Sequence, residues 1–251
     1  MLDRIKDLLW PRPKQPADSP IKNSQPKPVP RSTRNFPEFF DHIKSLGFDA
    51  NTVIDVGVAK GTPPLYEAFP NAYFILIEPV EEFIPDLEAV LSQYSGEYHN
   101  CALMATPGES SIMKTPHLFG SSMMHRASGE NKNLQKVTVE TLDNLVGNRK
   151  LDGAVLLKTD CQGGDFEVVK GAIKTLQQCD VVIMEVSLFK FWGNHHPAPL
   201  DILNFMAAQG FSIYDFLDGL FRPLDNALGQ LDIVFVRDDG IFRKDQVWVQ
   251  Q

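Results

Sequence analysis

The chain has 251 residues, 43% of them apolar and 22% charged, an ordinary globular composition at a length that buries a core without staples. Three cysteines, Cys101, Cys161 and Cys179, form neither an even set nor a CxxC pair, which argues against a disulfide framework and a zinc site and suits a reducing cytoplasm. The net charge of -8 is uneven, with eight Lys/Arg against three Asp/Glu in residues 1–34 and sixteen against twenty-nine beyond them. So acidic a body argues against a nucleic-acid substrate, whose phosphates call for basic side chains.

In chain order, "MLDRIKDLLW" places Met1, Leu2, Ile5, Leu8 and Leu9 near one helical face, which predicts a short amphipathic helix. Seven prolines within residues 11–30 then predict an extended basic linker. Residues 1–34 are thus expected to lie outside the domain, which occupies 35–251, and to contact an acidic membrane surface or a partner weakly, or to dock on the same chain. No apolar run reaches the ~18–20 residues of a membrane span, and no secretory signal core is visible. A cytoplasmic protein is expected.

From residue 52 onward, short branched apolar runs alternate with helical stretches. The runs "TVIDV", "YFILIE", "YHNCAL", "AVLLKTD" and "VVIMEV" suit strands buried on both faces. The helices "TPPLYEAF", "EEFIPDLEAVLSQY", "DFEVVKGAIKTLQQ" and "PLDILNFMAAQG" separate most of them. The pattern predicts an α/β fold, a Rossmann-like doubly wound, mostly parallel sheet. "FSIYDF" and "LDIVFVR" close the chain with too little between them for a parallel crossover, so the last strand is expected to run antiparallel. Ligands of such sheets bind beyond the carboxyl ends of the strands.

The first strand ends in "IDVGVAKG". A dinucleotide site uses G-x-G-x-x-G to let backbone approach a pyrophosphate; here Ala59 replaces the middle glycine, and Asp55 opposes a phosphate. An acid at that position favours a cation. S-adenosylmethionine meets the requirement, with an ammonium, a sulfonium and no phosphate. Glu78, at the end of the next strand, can accept both ribose hydroxyls, a placement shared with NAD enzymes. Gly57 and Gly61 lie between the two acids. Further along, Asp160 closes a buried strand before Gly163 and Gly164, and Glu185 ends the adjacent one.

The stretches "IDVGVAKG", "IEP", "TLDNL", "LLKTDCQGGDFEVVKGA", "IMEVS" and "GQLDIVFVR" together resemble the FkbM methyltransferases, in the right order, over residues 52–237. "KTDCQGGDFEVVKGA" is similar to the family pattern K-x-D-x-[EQ]-G-x-E-x-x-V-L-K-G-A, with Gly164 where the family usually has a larger residue and Asp165 in place of Glu. The resemblance implies methyl transfer from S-adenosylmethionine to a hydroxyl of a saccharide or polyketide-like acceptor. It implies that Asp55, Gly57 and Gly61 line the cofactor, that Glu78 holds its ribose, and that Asn100 and Cys101 lie near the adenine.

Transfer to an alcohol needs alignment of the acceptor oxygen and removal of its proton. Asp160 is the first candidate base and Glu185 the second; the pair could instead hold one Mg2+ against a sugar diol. "FWGNHHPAP" adds His195 and His196 as a base or ligand, and Trp192 as a surface for a sugar ring; "FGSSMMHRASG" (119–129) could cover the acceptor. Two other classes fit less of the sequence: a nicotinamide-dependent sugar oxidoreductase, and a docking module that keeps the fold without catalysis.

Overall fold

The computed structural model describes residues 33–124, 133–193 and 196–248. The amphipathic segment and its proline-rich linker, the second half of the 119–129 loop, and His195 lie outside the described residues. Arg34 pairs with Asp215 at 2.5 Å, and the Asp218 N–H donates to the Arg34 carbonyl. Asn35 then caps α1 (Phe36–Ser45) through a reciprocal box with Glu38, satisfying donors that a helix start leaves open. Phe39, Phe40 and Ile43 form its buried face.

β1 (Thr52–Val56) is buried throughout. α2 (Pro63–Ala68) opens on two prolines, whose missing N–H groups cost nothing in a first turn. β2 (Tyr73–Ile77), a short 3-10 turn (Glu81–Phe83), α3 (Ile84–Leu91) and β3 (Gly96–His99) follow. The single strand expected over 98–103 is split. β3 ends at His99, and β4 (Ala102–Leu103) belongs to a second sheet with β5 (Gly108–Met113) and β6 (Leu134–Glu140), in the order β4-β6-β5. Asn100 causes the break: its side-chain amide donates to the Glu78 carbonyl at 2.8 Å, supplying the donor that the backbone of residue 101 would give in a continuing parallel ladder.

α4 (Leu142–Val146) is capped by Thr141. β7 (Val155–Thr159), α5 (Asp165–Lys170), α6 (Ile173–Leu176), β8 (Val181–Ser187), α7 (Pro199–Ala208), β9 (Phe211–Phe221) and β10 (Leu228–Arg237) complete the order. The one helix expected over 165–178 breaks at Gly171, where a Cβ would stand 2.3 Å from the Met104 carbonyl oxygen. The chain approaches the second sheet there so closely that only glycine fits.

The seven-stranded sheet has the order β3-β2-β1-β7-β8-β10-β9. Its first five strands are parallel, and β10 is inserted antiparallel between β8 and β9. The fold is Rossmann-like and doubly wound, with the expected antiparallel last strand. α4, α5, α6 and α7 cover one face through Leu142, Val168, Leu176 and Met206; α1, α2 and α3 cover the other through Phe39, Leu65 and Leu87. Among the described residues no helix is long and apolar enough to cross a membrane, and the three cysteines are free thiols.

Candidate active site at the carboxyl edge of the sheet

Strand order reverses between β1 and β7, and the loops after these two strands meet there. Gly57 and Gly61 have φ of +78° and +108°, as their spacing requires. Ala59 is also left-handed, at φ +47°, where a glycine would be unstrained. A Cβ on Gly57 would lie 2.0 Å from the Asp160 carbonyl oxygen. The glycine loop and the loop after β7 are therefore in backbone contact.

Glu78 is buried at the end of β2. Its Oε2 accepts from the Ala59 N–H at 2.8 Å and its Oε1 from the Val80 N–H at 2.9 Å. Burial raises its pKa from 4.5 to about 7, against the pull of those two N–H donors. The acid holds the strained loop in place, and each oxygen keeps a second lone pair. Asn100 ties the ends of β2 and β3 together, and Cys101 is buried beside it, its thiol pushed up to about 11 by burial and by Glu140.

Asp55 is fully buried. Its Oδ2 accepts from the Tyr66 hydroxyl at 2.8 Å, and its Oδ1 accepts no hydrogen bond. On the neighbouring strand, in register with Asp55, stands Lys158, with Nζ 3.6 Å from Asp55 Oδ1 and 3.7 Å from Asp160 Oδ2. Burial opposes the charge of Lys158, but Asp55, Asp160 and Asp232 outweigh it and raise its pKa. The sequence expectation missed both Tyr66 and Lys158. Lys158 left a signal, as one cation inside the apolar run "AVLLKTD"; Tyr66, in an ordinary amphipathic helix, left none.

Asp160 is 38% exposed, and Gln162 donates to its Oδ1 at 3.0 Å. Glu185 is paired across the sheet with Asp232 and accepts from Gln230 at 2.6 Å. Burial raises the Glu185 pKa well above the usual carboxylate range, with Asp160, Asp165 and Asp232 adding. Burial likewise raises Asp232 to about 8 and Asp165 to about 6, each with Asp160 adding. Asp160 and Glu185 are both partly buried at the edge of the sheet, and Glu185 is favoured in its neutral form.

His196 is buried and, with Gly163, Asp165, Glu185 and Ser187, lines a cavity of about 10 Å3, room for about one water. Trp192, read as a sugar platform, packs on the backbone: a Cβ on Gly163 would meet its indole at 2.3 Å. Nearby, Arg222 stacks on Phe189 at 3.9 Å from the ring centroid, where the β9–β10 hairpin rises past the carboxyl edge. A larger cavity of about 260 Å3, between Phe48, Ala154 and Phe242, lies at the amino ends of β7 and β8 and contains none of these residues. Among the described residues no group of three or more His, Cys, Asp or Glu side chains is arranged to hold a metal ion. The Asp160 and Glu185 pair expected to hold Mg2+ is thus not joined by a third such ligand, and the space between Asp55 and Asp160 is taken by the Lys158 ammonium.

The chain matches the family model described as the methyltransferase FkbM domain over residues 55–213. No curated protein matches it. Solved structures similar to it include magnesium protoporphyrin IX methyltransferase from Synechocystis PCC 6803 with bound S-adenosylhomocysteine (13% identity, 80% of this chain and 81% of that one, TM-score 0.44). Another is 1,6-didemethyltoxoflavin-N1-methyltransferase from Burkholderia thailandensis (12%, 80% and 78%, TM-score 0.41). A third is the bifunctional kinase-methyltransferase WbdD, of which 37% is covered by 79% of this chain (15%, TM-score 0.45). The family match runs from Asp55 in β1 to Ile213 in β9 and displaces the oxidoreductase alternative: the protein belongs to the FkbM methyltransferase family.

Proposed function

We propose that the protein is an S-adenosylmethionine-dependent O-methyltransferase acting on a hydroxyl of a saccharide or polyketide-like acceptor, in the cytoplasm. The observation that carries the reading is the backbone contact of Gly57 with Asp160, which sets the acid-glycine loop of β1 beside a partly buried carboxylate at the end of β7. The residues fit the cofactor. Asp55, held by the Tyr66 hydroxyl on Oδ2 and facing the Lys158 ammonium with Oδ1, fixes the start of the glycine loop that would pass the cofactor, and the free lone pairs of Glu78 suit ribose hydroxyls. Asn100 and Cys101 close the same edge on the adenine side.

Bound S-adenosylmethionine supplies a methyl group already activated on a cationic sulfur. The chain's own task is to align the acceptor and take its proton. Asp160 would accept the proton that the acceptor hydroxyl gives up when its oxygen is methylated. Gln162 orients that carboxylate from its Oδ1 side. Glu185, favoured as the neutral acid, donates a hydrogen bond to the acceptor rather than serving as base.

Calorimetric titration of the full chain with S-adenosylhomocysteine tests the cofactor assignment. Binding that weakens sharply in Asp55→Asn is expected; no binding to folded wild-type protein overturns the reading. Methyl transfer from labelled S-adenosylmethionine to a panel of saccharides and polyketide alcohols tests the acceptor class. Asp160→Asn should lower turnover by about 100-fold or more, the usual worth of a general base.

A further inference from the structure

Charged side chains occupy two successive rungs on one face of the sheet. The strand registers place Asp55 on β1 opposite Lys158 on β7, with Ile183 next to it on β8. Two residues on, Asp160 is level with Glu185 on β8, which is opposite Asp232 on β10, and this second rung falls on the same side because side chains on a strand repeat every second residue. Lys158 is the only cation among them, 5% exposed in the interior of the central strand. A lysine there has to be stripped of water, a cost recovered only through nearby anions.

Two carboxylates approach its ammonium at nearly equal distance, Asp55 Oδ1 at 3.6 Å and Asp160 Oδ2 at 3.7 Å. One belongs to the cofactor side of the proposed site and the other to the acceptor side. A Mg2+ would draw its oxygens in to about 2.0–2.1 Å and demand an octahedral shell, and it cannot share that space with an ammonium. From this arrangement we infer that Lys158 is the built-in cation of the active site, a positioning residue that holds the cofactor-side and acceptor-side carboxylates in place without a divalent metal. The inference rests on the methyltransferase reading above, but it concerns the cation, not the methyl donor.

A lysine in this role makes the site metal-independent and leaves a hole of known charge when it is removed. Burial disfavours a free charge on Lys158, and the three facing aspartates Asp55, Asp160 and Asp232 reverse that, so the ammonium persists across the working pH range.

The test uses the full chain as wild type, Lys158→Met and Lys158→Arg, each titrated with S-adenosylhomocysteine in chelator and in millimolar Mg2+. Wild type should bind equally in both buffers, within about twofold. Lys158→Met should lose affinity by tenfold or more in chelator and regain most of it in Mg2+, with a rise in melting temperature, because the divalent ion restores the positive charge between the carboxylates; a lysine that served packing alone would show no such rescue. Lys158→Arg, which keeps the charge, should stay metal-independent. If Lys158→Met does not fold in chelator, refolding in Mg2+ reads the same rescue. Wild-type binding that requires Mg2+ overturns the role of Lys158 while leaving the methyltransferase reading intact, and absence of Mg2+ rescue in Lys158→Met also overturns it. Wild type that binds S-adenosylhomocysteine in neither buffer instead overturns the reading on which the inference stands.

Discussion

At the residue scale, Gly57 and Ala59 behave differently although both are left-handed. Gly57→Ala would drive a methyl group into the Asp160 carbonyl at 2.0 Å in addition to a backbone strain of about 1–3 kcal/mol. A lower melting temperature and loss of S-adenosylhomocysteine binding are expected together. Ala59→Gly relieves strain but adds chain entropy, so denaturant unfolding should shift by no more than about 1 kcal/mol. Tyr66→Phe leaves the buried Asp55 Oδ2 without its donor and should cost about 1–3 kcal/mol, read by the same unfolding experiment. Glu78 sets a pH dependence. Its folded pKa of about 7 lies above its ordinary 4.5, so the folded state binds the proton more tightly than the unfolded chain. That stabilisation is complete below pH 4.5 and is lost as pH rises to about 7, a decline of about 3 kcal/mol for this group. Glu78→Gln should flatten that limb of the stability curve.

At the scale of elements, the sequence spoke clearly where burial is two-sided. β1, β2, β7 and β8 are continuous branched runs because helices cover both faces, and the prolines of α2 and α7 mark their first turns. The second sheet was illegible by the same rule: β5, "GESSIM", is half polar and buries only Ile112, and β6 alternates buried and exposed residues over only part of its length. The break between α5 and α6 was hidden too, since "DFEVVKGAIKTLQQ" keeps a helical period through Gly171. What ends the helix is the Met104 carbonyl, distant in sequence. Gly171→Ala should therefore lower the melting temperature, because the added methyl group meets the Met104 carbonyl just past β4. Asp143 of the "TLDNL" stretch also proves structural, accepting from the Lys174 and Thr175 N–H groups at the start of α6.

At the scale of the whole molecule, sheet order does what no single motif can. "IDVGVAKG" and "LLKTDCQGG" are about a hundred residues apart, and pairing of β1 with β7 makes them neighbours at the point of reversal. The candidate cofactor edge could be read residue by residue, since acids at strand ends are visible as letters. The pairing of Asp55 with Lys158 could not, because it depends on register across two strands. The amino-terminal boundary offers a test at this scale. Arg34 is bound to β9 by an ion pair and a backbone hydrogen bond, so a chain starting at residue 35 should melt lower than one starting at residue 33.

The contact between Gly57 and Asp160 also limits how such a protein can be re-engineered or drift. With no side chain between them, the two loops are a matched pair of surfaces, and a change in the path of one leaves the other either overlapping or unsupported. Exchanging the acceptor-side loop for that of another methyltransferase should succeed only when the glycine loop is exchanged with it, and single-loop chimeras should fail even where every catalytic letter is retained.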